Sequence, residues 1–199
     1  MDDVEALRVH LGLDRVDLLA HSAGAALALL YAARHPDRVG SLVPVTPSPR
    51  VVGVEVTDAD RRQVAELRRG EHWLGAAFAA VERIWSGEAA EAGWAAITPF
   101  AYGRWDDAAR AADERAGSRC NAEAAARYHA DGAVDAGAVR SALARLEAPV
   151  LLVAGEVDTA CRRRAQPTTL RSSRPPSWWC SRARGTSPGW TTRGRSWRR

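Results

Sequence analysis

Lysine is absent from this sequence, so each of its 28 basic residues is an arginine. No apolar run reaches the 18 residues that would indicate a membrane-spanning helix, and the acidic amino terminus lacks a signal-peptide pattern. The only cysteines, Cys120, Cys161 and Cys180, are too few and too scattered to indicate a disulfide framework or a metal site. We therefore expect a cytoplasmic protein that uses no metal or other cofactor and has no membrane partner.

The last part of the chain has no acidic residue. All 24 acidic residues lie in residues 1–161, where they outnumber 17 arginines, whereas residues 162–199 contain the other 11 arginines. Half of the eight tryptophans also fall in this short segment. Two different compositions therefore meet near Cys161, and each needs its own explanation.

One short stretch, Ala20-His21-Ser22-Ala23-Gly24, organises the rest of the sequence. It follows the apolar run 16–19 and leads into the Ala/Leu-rich segment 25–33, which predicts a strand, a sharp turn and a helix. A serine at such a turn faces outward at the carboxyl end of the strand. It lies beside the amide groups of a helix N-terminus, which favour negative charge.

The pattern small-x-Ser-x-small resembles the nucleophile elbow of the α/β-hydrolase family, with Ala20 in place of the usual first glycine. The resemblance implies a partial α/β-hydrolase fold, in which a fragment of a parallel sheet carries the elbow beneath a helical cap. It also implies that Ser22 is the catalytic nucleophile and that the N–H of Ala23 is one oxyanion-hole donor. No substrate-binding residue can be assigned from the sequence.

A buried strand is predicted over residues 16–20 and a second strand over residues 39–45. A further buried strand, predicted over residues 149–155, runs into Glu156-Val157-Asp158. Ligands of parallel sheets bind at the carboxyl ends of the strands, which is where these acids lie. The family places its triad acid three residues after the glycine that ends the strand, so the resemblance assigns this role to Asp158. Glu156 remains the less favoured alternative.

Four regions follow from these patterns. Residues 1–56 are predicted to form the hydrolase core, residues 57–145 the helical cap, and residues 146–161 the core strand with the acid loop. Residues 162–199 are predicted to be an irregular, disordered, basic tail. Helices are expected at 2–12, 23–35, 58–69, 73–86, 88–96, 105–116, 121–130 and 135–146. The cap resembles that of the peptidase/esterase branch, which includes the proline iminopeptidases.

The family mechanism needs a histidine after the acid, but all five histidines of this sequence precede Asp158. His21 should point away from the nucleophile, and only His129 in the cap is left as a weak substitute. If residues 182–193 are read one base earlier, compatible codons can encode Pro-Gly-Ala-Gly-His-Phe-Pro-Trp-Leu-Asp-Asp-Pro, which resembles the family's histidine loop. We therefore expect a frame slip between Cys161 and Arg171.

At the other end, the resemblance implies further strands, and a loop with the second oxyanion donor, ahead of the first helix. We accordingly expect an amino-terminally truncated chain with about three parallel strands, an exposed apolar sheet edge and low stability.

The predicted function is serine hydrolysis by acyl transfer on a small ester or peptide substrate, impaired in this chain. One alternative is a non-catalytic remnant whose Arg/Trp-rich tail binds nucleic acid, a partner that we do not expect. Another is a working hydrolase with an unusual base. The oligomeric state stays open.

Overall fold

The computed structural model describes residues 1–85, 91–117, 121, 123, 134–159 and 177–181. Its strands form one parallel sheet whose spatial order follows the chain: β1 (Val16–His21), β2 (Val39–Val45), β3 (Leu151–Gly155) and β4 (Ser177–Ser181). The predicted α/β class is confirmed. We expected three strands, but residues 177–181 of the basic tail add a fourth, because their backbone pairs with β3 along its whole length. The rest of 162–199 lies outside the described residues.

Helices connect and cover these strands. The described residues form α1 (Asp2–His10), α2 (Ala23–Arg34), α3 (Asp58–Ala65), α4 (Leu74–Trp85), α5 (Glu91–Ile97), α6 (Asp107–Gly117) and α7 (Ala136–Leu143). Each matches a helix that the sequence predicts, within a few residues at either end. The helix predicted at 121–130 falls almost wholly outside the described residues. No helix in the described part of the chain has the length and apolar character needed to cross a membrane.

Local sequence signals explain where several helices begin and end. Gly12, with φ of 65°, adopts the left-handed conformation just beyond α1 that glycine accommodates without strain. Thr57 and Asp60 form a capping box at the start of α3, in which each side chain accepts a hydrogen bond from the other residue's backbone N–H. These signals act through neighbouring residues, so the sequence alone predicts them.

The main core lies where α2 and α7 pack against the sheet. Its largest buried members include Leu29, Tyr31, Leu42, Leu143 and Leu152. α7 therefore belongs to this core, although we predicted that the cap extends to residue 145. The reason is that Leu143, near its carboxyl end, packs with α2 under the sheet.

One face of β1 is open. We predicted a buried strand, but burial alternates along β1 and Leu19 is 78 % exposed. In the described part of the sheet β1 is an outer strand, and only its other face packs on the main core, through Val16, Leu18 and Ala20. The prediction of an exposed apolar sheet edge is therefore consistent with the described residues.

A second, smaller cluster forms inside the predicted cap. Its buried members are Ala65, Trp73, Leu74 and Ala77, and Phe78, Phe100 and Trp105 pack against them. The edge of the Trp73 ring meets Phe100, with ring centroids 5.2 Å apart. These aromatic side chains thus form a second hydrophobic core, separate from the main one.

Arg68 links this cluster to the segment between α5 and α6. Its side chain is buried and donates to the carbonyl oxygens of Tyr102 at 2.6 Å, Pro99 at 3.2 Å and Gly103 at 3.4 Å. The guanidinium also lies 4.4 Å from the centre of the Trp73 ring. One charged group therefore satisfies three carbonyls of the segment that links α5 to α6.

We expect Arg68→Met to lower the free energy of unfolding by about 2–3 kcal/mol, because it leaves these carbonyls without their donor. The matched control is Arg69→Met. Arg69 is exposed and, among the described residues, pairs with Glu66 on the surface, so its loss should change stability by less than about 0.5 kcal/mol. Urea denaturation followed by circular dichroism measures both, and equal effects would contradict a special role for Arg68.

A polar network joins α1 to α2. The Tyr31 hydroxyl donates to Glu5 at 2.7 Å, and Arg8 holds the same carboxylate through two N–H groups at 2.7 and 3.0 Å. Arg8 also donates to the carbonyls of Leu13 and Asp14 beyond the helix. Hydrogen bonds from Arg8 and Tyr31 lower the pKa of Glu5 to about 2. The network anchors α1 on the helix that starts at Ser22.

Because of this pKa shift, the free energy of unfolding depends on pH. A carboxyl whose folded pKa is depressed stabilises the fold above its ordinary pKa near 4.5, and this contribution disappears as the pH falls towards 2. We expect Glu5→Gln to lower the melting temperature at pH 6 and to have a shrinking effect between pH 4.5 and pH 2. A difference between the variant and the parent chain that stays constant over this range would contradict the assignment.

Candidate functional site

The candidate site begins at the turn between β1 and α2. Ser22 has φ of 52° and ψ of −121°, a conformation that residues with a side chain rarely adopt. Its N–H donates to the carbonyl of Val45 at 3.0 Å, and its own carbonyl accepts from Ala25 and Ala26 at the start of α2. Its side chain is exposed. The turn thus holds a serine outward at the carboxyl edge of the sheet.

Thr46, directly after the neighbouring strand, also has a positive φ. It follows β2, has φ of 46°, and is buried. Its N–H donates to the carbonyl of Val153 in β3 at 2.7 Å. Positive φ is costly for a β-branched residue, and such strain concentrates at functional sites. The sequence analysis missed Thr46, since nothing in the local pattern indicates its conformation.

Asp158 lies in the turn after β3, which brings it to the same edge of the sheet as Ser22 and Thr46. Asp158 is 1 % exposed, whereas Glu156 is exposed. A buried carboxylate needs polar partners, while an exposed one is satisfied by water. The burial pattern therefore favours Asp158 over Glu156 as the functional acid.

Ala23 is the first residue of α2, and the first N–H groups of a helix have no acceptor within that helix. This places an available donor next to the serine. A Cβ built on Gly24 would meet no atom within 4 Å, so the described residues do not require a glycine there. The small residue that the elbow pattern has at this position is therefore not required by close contacts here, because Gly24 lies on the exposed side of the helix start.

The histidines are dispersed over the fold. His10 and His72 are exposed, and His21 is exposed at the end of β1, beside the turn. His35 follows α2 and packs against Tyr31 with ring centroids 5.0 Å apart. This packing leaves His35 only partly exposed. His129 lies outside the described residues.

The described residues contain no group of three His, Cys, Asp or Glu side chains that could hold a metal ion. What they bring to one edge of the sheet is a serine, a helix N-terminus and a buried carboxylate. A serine and a carboxylate are two members of the triad that catalyses acyl transfer, and backbone amides of this kind serve as donors in oxyanion holes.

Residues 1–168 match the family model for the α/β hydrolase fold. No curated protein matches. Among solved structures, a serine hydrolase from Cycloclasticus zankles aligns with 92 % of this chain at 13 % identity, with a TM-score of 0.59. Est816, described as an N-acyl homoserine lactone degrading enzyme, aligns with 93 % at 17 % identity and a TM-score of 0.60. An α/β fold family hydrolase from Bacillus anthracis aligns with 94 % at 15 % identity and a TM-score of 0.56.

These alignments cover 61 %, 66 % and 66 % of the three solved chains, so this chain spans less than two thirds of their lengths. Identities this low show a common fold only.

The strain at Ser22 has a measurable consequence. We expect Ser22→Gly to raise the free energy of unfolding by about 1 kcal/mol relative to Ser22→Ala, because glycine accepts positive φ and alanine does not. Both variants remove the hydroxyl, so the comparison isolates the backbone term. Urea denaturation measures the difference. Equal stabilities, or a less stable glycine variant, would contradict the strained turn.

Proposed function

Since the chain belongs to the α/β hydrolase fold family, we propose that its site is that of a serine hydrolase acting by acyl transfer on an ester or amide. The observation that carries this proposal is the backbone of Ser22. A strained turn between a strand and a helix N-terminus has no evident structural purpose for an exposed serine, but it is what a nucleophile requires.

In the proposed reaction, the Ser22 oxygen attacks the carbonyl carbon of the substrate while its proton passes to a base. The N–H of Ala23 stabilises the oxyanion that forms, and the helix N-terminus adds to this stabilisation. Asp158 orients the base and stabilises its protonated form. The tetrahedral intermediate then breaks the bond to the departing alcohol or amine, which takes the proton from the base. The acyl-enzyme that remains is hydrolysed by water, which the same base activates.

Histidine is the base in this mechanism, and none follows Asp158 within this sequence. We propose that its codon straddles those of Gly185 and Thr186 and has been lost through a frame slip between Cys161 and Arg171. The pairing of residues 177–181 with β3 supports this, because the histidine codon then falls four to five residues after a strand of the parallel sheet. The chain as written is accordingly impaired.

The finer assignments are also part of the proposal. The helical, aromatic-rich segment between Thr57 and Gly117 supports a cap of the peptidase/esterase type, and a small ester or peptide as substrate. We also retain the cytoplasm as the expected location. Neither the family match nor the solved structures support the alternative of a nucleic-acid-binding remnant.

A fluorophosphonate probe tests this proposal, because it reacts with activated serines only. We expect a chain with the reading frame restored between residues 161 and 171 to be labelled at Ser22. The chain as written should be labelled on the order of 10³-fold more slowly or not at all, because its serine has no base. Mass spectrometry of the labelled peptide identifies the residue.

Two controls sharpen this test. Ser22→Ala in the restored chain should abolish labelling, and Asp158→Asn should slow it strongly, because the base is then wrongly oriented. Equal labelling of both chains would refute the impairment. Absence of labelling in a folded, restored chain would refute the serine mechanism. Sequencing the coding DNA across codons 158–199 tests the frame slip directly, since a stop codon or a missing histidine codon there excludes it.

A further inference from the structure

A small charged cleft lies in the segment that joins β2 to α3. Its volume is about 230 Å³, and it is lined by Ser48, Pro49, Arg50, Glu55, Val56 and Arg61. This is below the roughly 300 Å³ at which pockets for drug-sized ligands begin, so the cleft suits a small group or one end of a substrate.

The connection to the nucleophile is short. Val45, which accepts the hydrogen bond of the Ser22 N–H, is three residues before Ser48 at the cleft wall. The intervening backbone turns at Thr46, where it is fixed by the bond to Val153. The cleft therefore starts at the edge of the sheet that carries Ser22.

Both walls of the cleft are anchored. On one side, Pro49, Val51 and Val52 are buried under the sheet, and Arg140 donates to the carbonyl of Val52 at 3.0 Å. A turn closed by the bond from the Val54 N–H to the Pro49 carbonyl, at 3.1 Å, shapes this wall. An anchored wall reduces the entropic cost of ordering the groups that contact a ligand.

On the other side, α3 begins with its capping box, so the helix start is fixed. Arg61 lies one turn into this helix, and Asp58 holds its guanidinium at 2.9 Å on the surface. The remaining N–H groups of a guanidinium can still be directed at a ligand, because the group carries five donors in a planar fork.

The charges of the cleft select among ligands. Two guanidinium groups, Arg50 and Arg61, match a carboxylate, which accepts paired N–H donors. Glu55 lines the same cleft and Asp58 already pairs with Arg61, so little net positive charge remains, and a dianion such as phosphate or a dicarboxylate is disfavoured. The lining is thus suited to a ligand that carries a single carboxylate.

We propose that this cleft binds the free carboxylate of the substrate through Arg50 and Arg61, and so selects short esters or amides that carry one carboxylate. The claim that the cleft selects substrates rests on the proposed function. The claim that the cleft binds a carboxylate does not, so the two claims can be tested separately.

Calorimetric titration of the full chain, in a Ser22→Ala background to prevent turnover, tests the binding. The probes are monomethyl succinate and its neutral counterpart dimethyl succinate, at low salt. We expect the monoanion to bind at least about ten-fold more tightly, as charge-assisted hydrogen bonds predict. Equal affinities, or no measurable binding of the monoanion, would overturn the proposal.

Variants of the lining residues test whether the carboxylate binds in this cleft. Arg50→Gln and Arg61→Gln should each bring the two affinities close together, whereas Arg69→Gln, outside the cleft, should leave the ratio as it is. Glu55→Gln should tighten the binding of succinate itself, a gain that a loss of folding cannot produce. An unchanged ratio in both cleft arginine variants would refute the assignment. If the monoanion binds as expected but Ser22 in the restored chain is not labelled, carboxylate binding by the cleft is supported and the proposed serine hydrolysis is refuted.

Discussion

Two backbone hydrogen bonds at the carboxyl edge of the sheet determine the arrangement on which the rest depends. One joins the N–H of Ser22 to Val45, and the other joins the N–H of Thr46 to Val153. Each keeps a residue with positive φ in place immediately after its strand. The strain is retained because the strands and the helix fix the backbone on both sides. This combination exposes the Ser22 hydroxyl while the backbone beneath it is rigid.

The two hydrophobic clusters support this edge in different ways. The main core packs α2 against the sheet, so the helix that starts at Ser22 cannot move independently of the strands. The network of Glu5, Arg8 and Tyr31 extends this support to α1. The second, smaller cluster around Trp73 has its own aromatic core and its own buried charge, Arg68, which donates hydrogen bonds to backbone carbonyls. Polar groups thus position elements whose cohesion comes from apolar packing.

The carboxyl edge of the sheet also links the proposed reaction to the proposed substrate. The residues after β1, β2 and β3 supply, in turn, the serine proposed as nucleophile, a cleft with two guanidinium groups, and a buried acid. Parallel strands bring such loops together because all their carboxyl ends lie on one side. A substrate with one carboxylate would place its reacting carbonyl near Ser22 by binding at a neighbouring loop.

Much of this protein is determined by local sequence. The helix boundaries, the capping box at Thr57 and the turn at Ser22 follow from residues close together in the chain, so they were predictable. The choice of Asp158 relied on a resemblance, and its burial could not be read from the chain. Tertiary structure alone decided that β1 is open on one face, that α7 joins the main core, and that Thr46 adopts positive φ. Each depends on contacts between residues far apart in sequence, which no local pattern records.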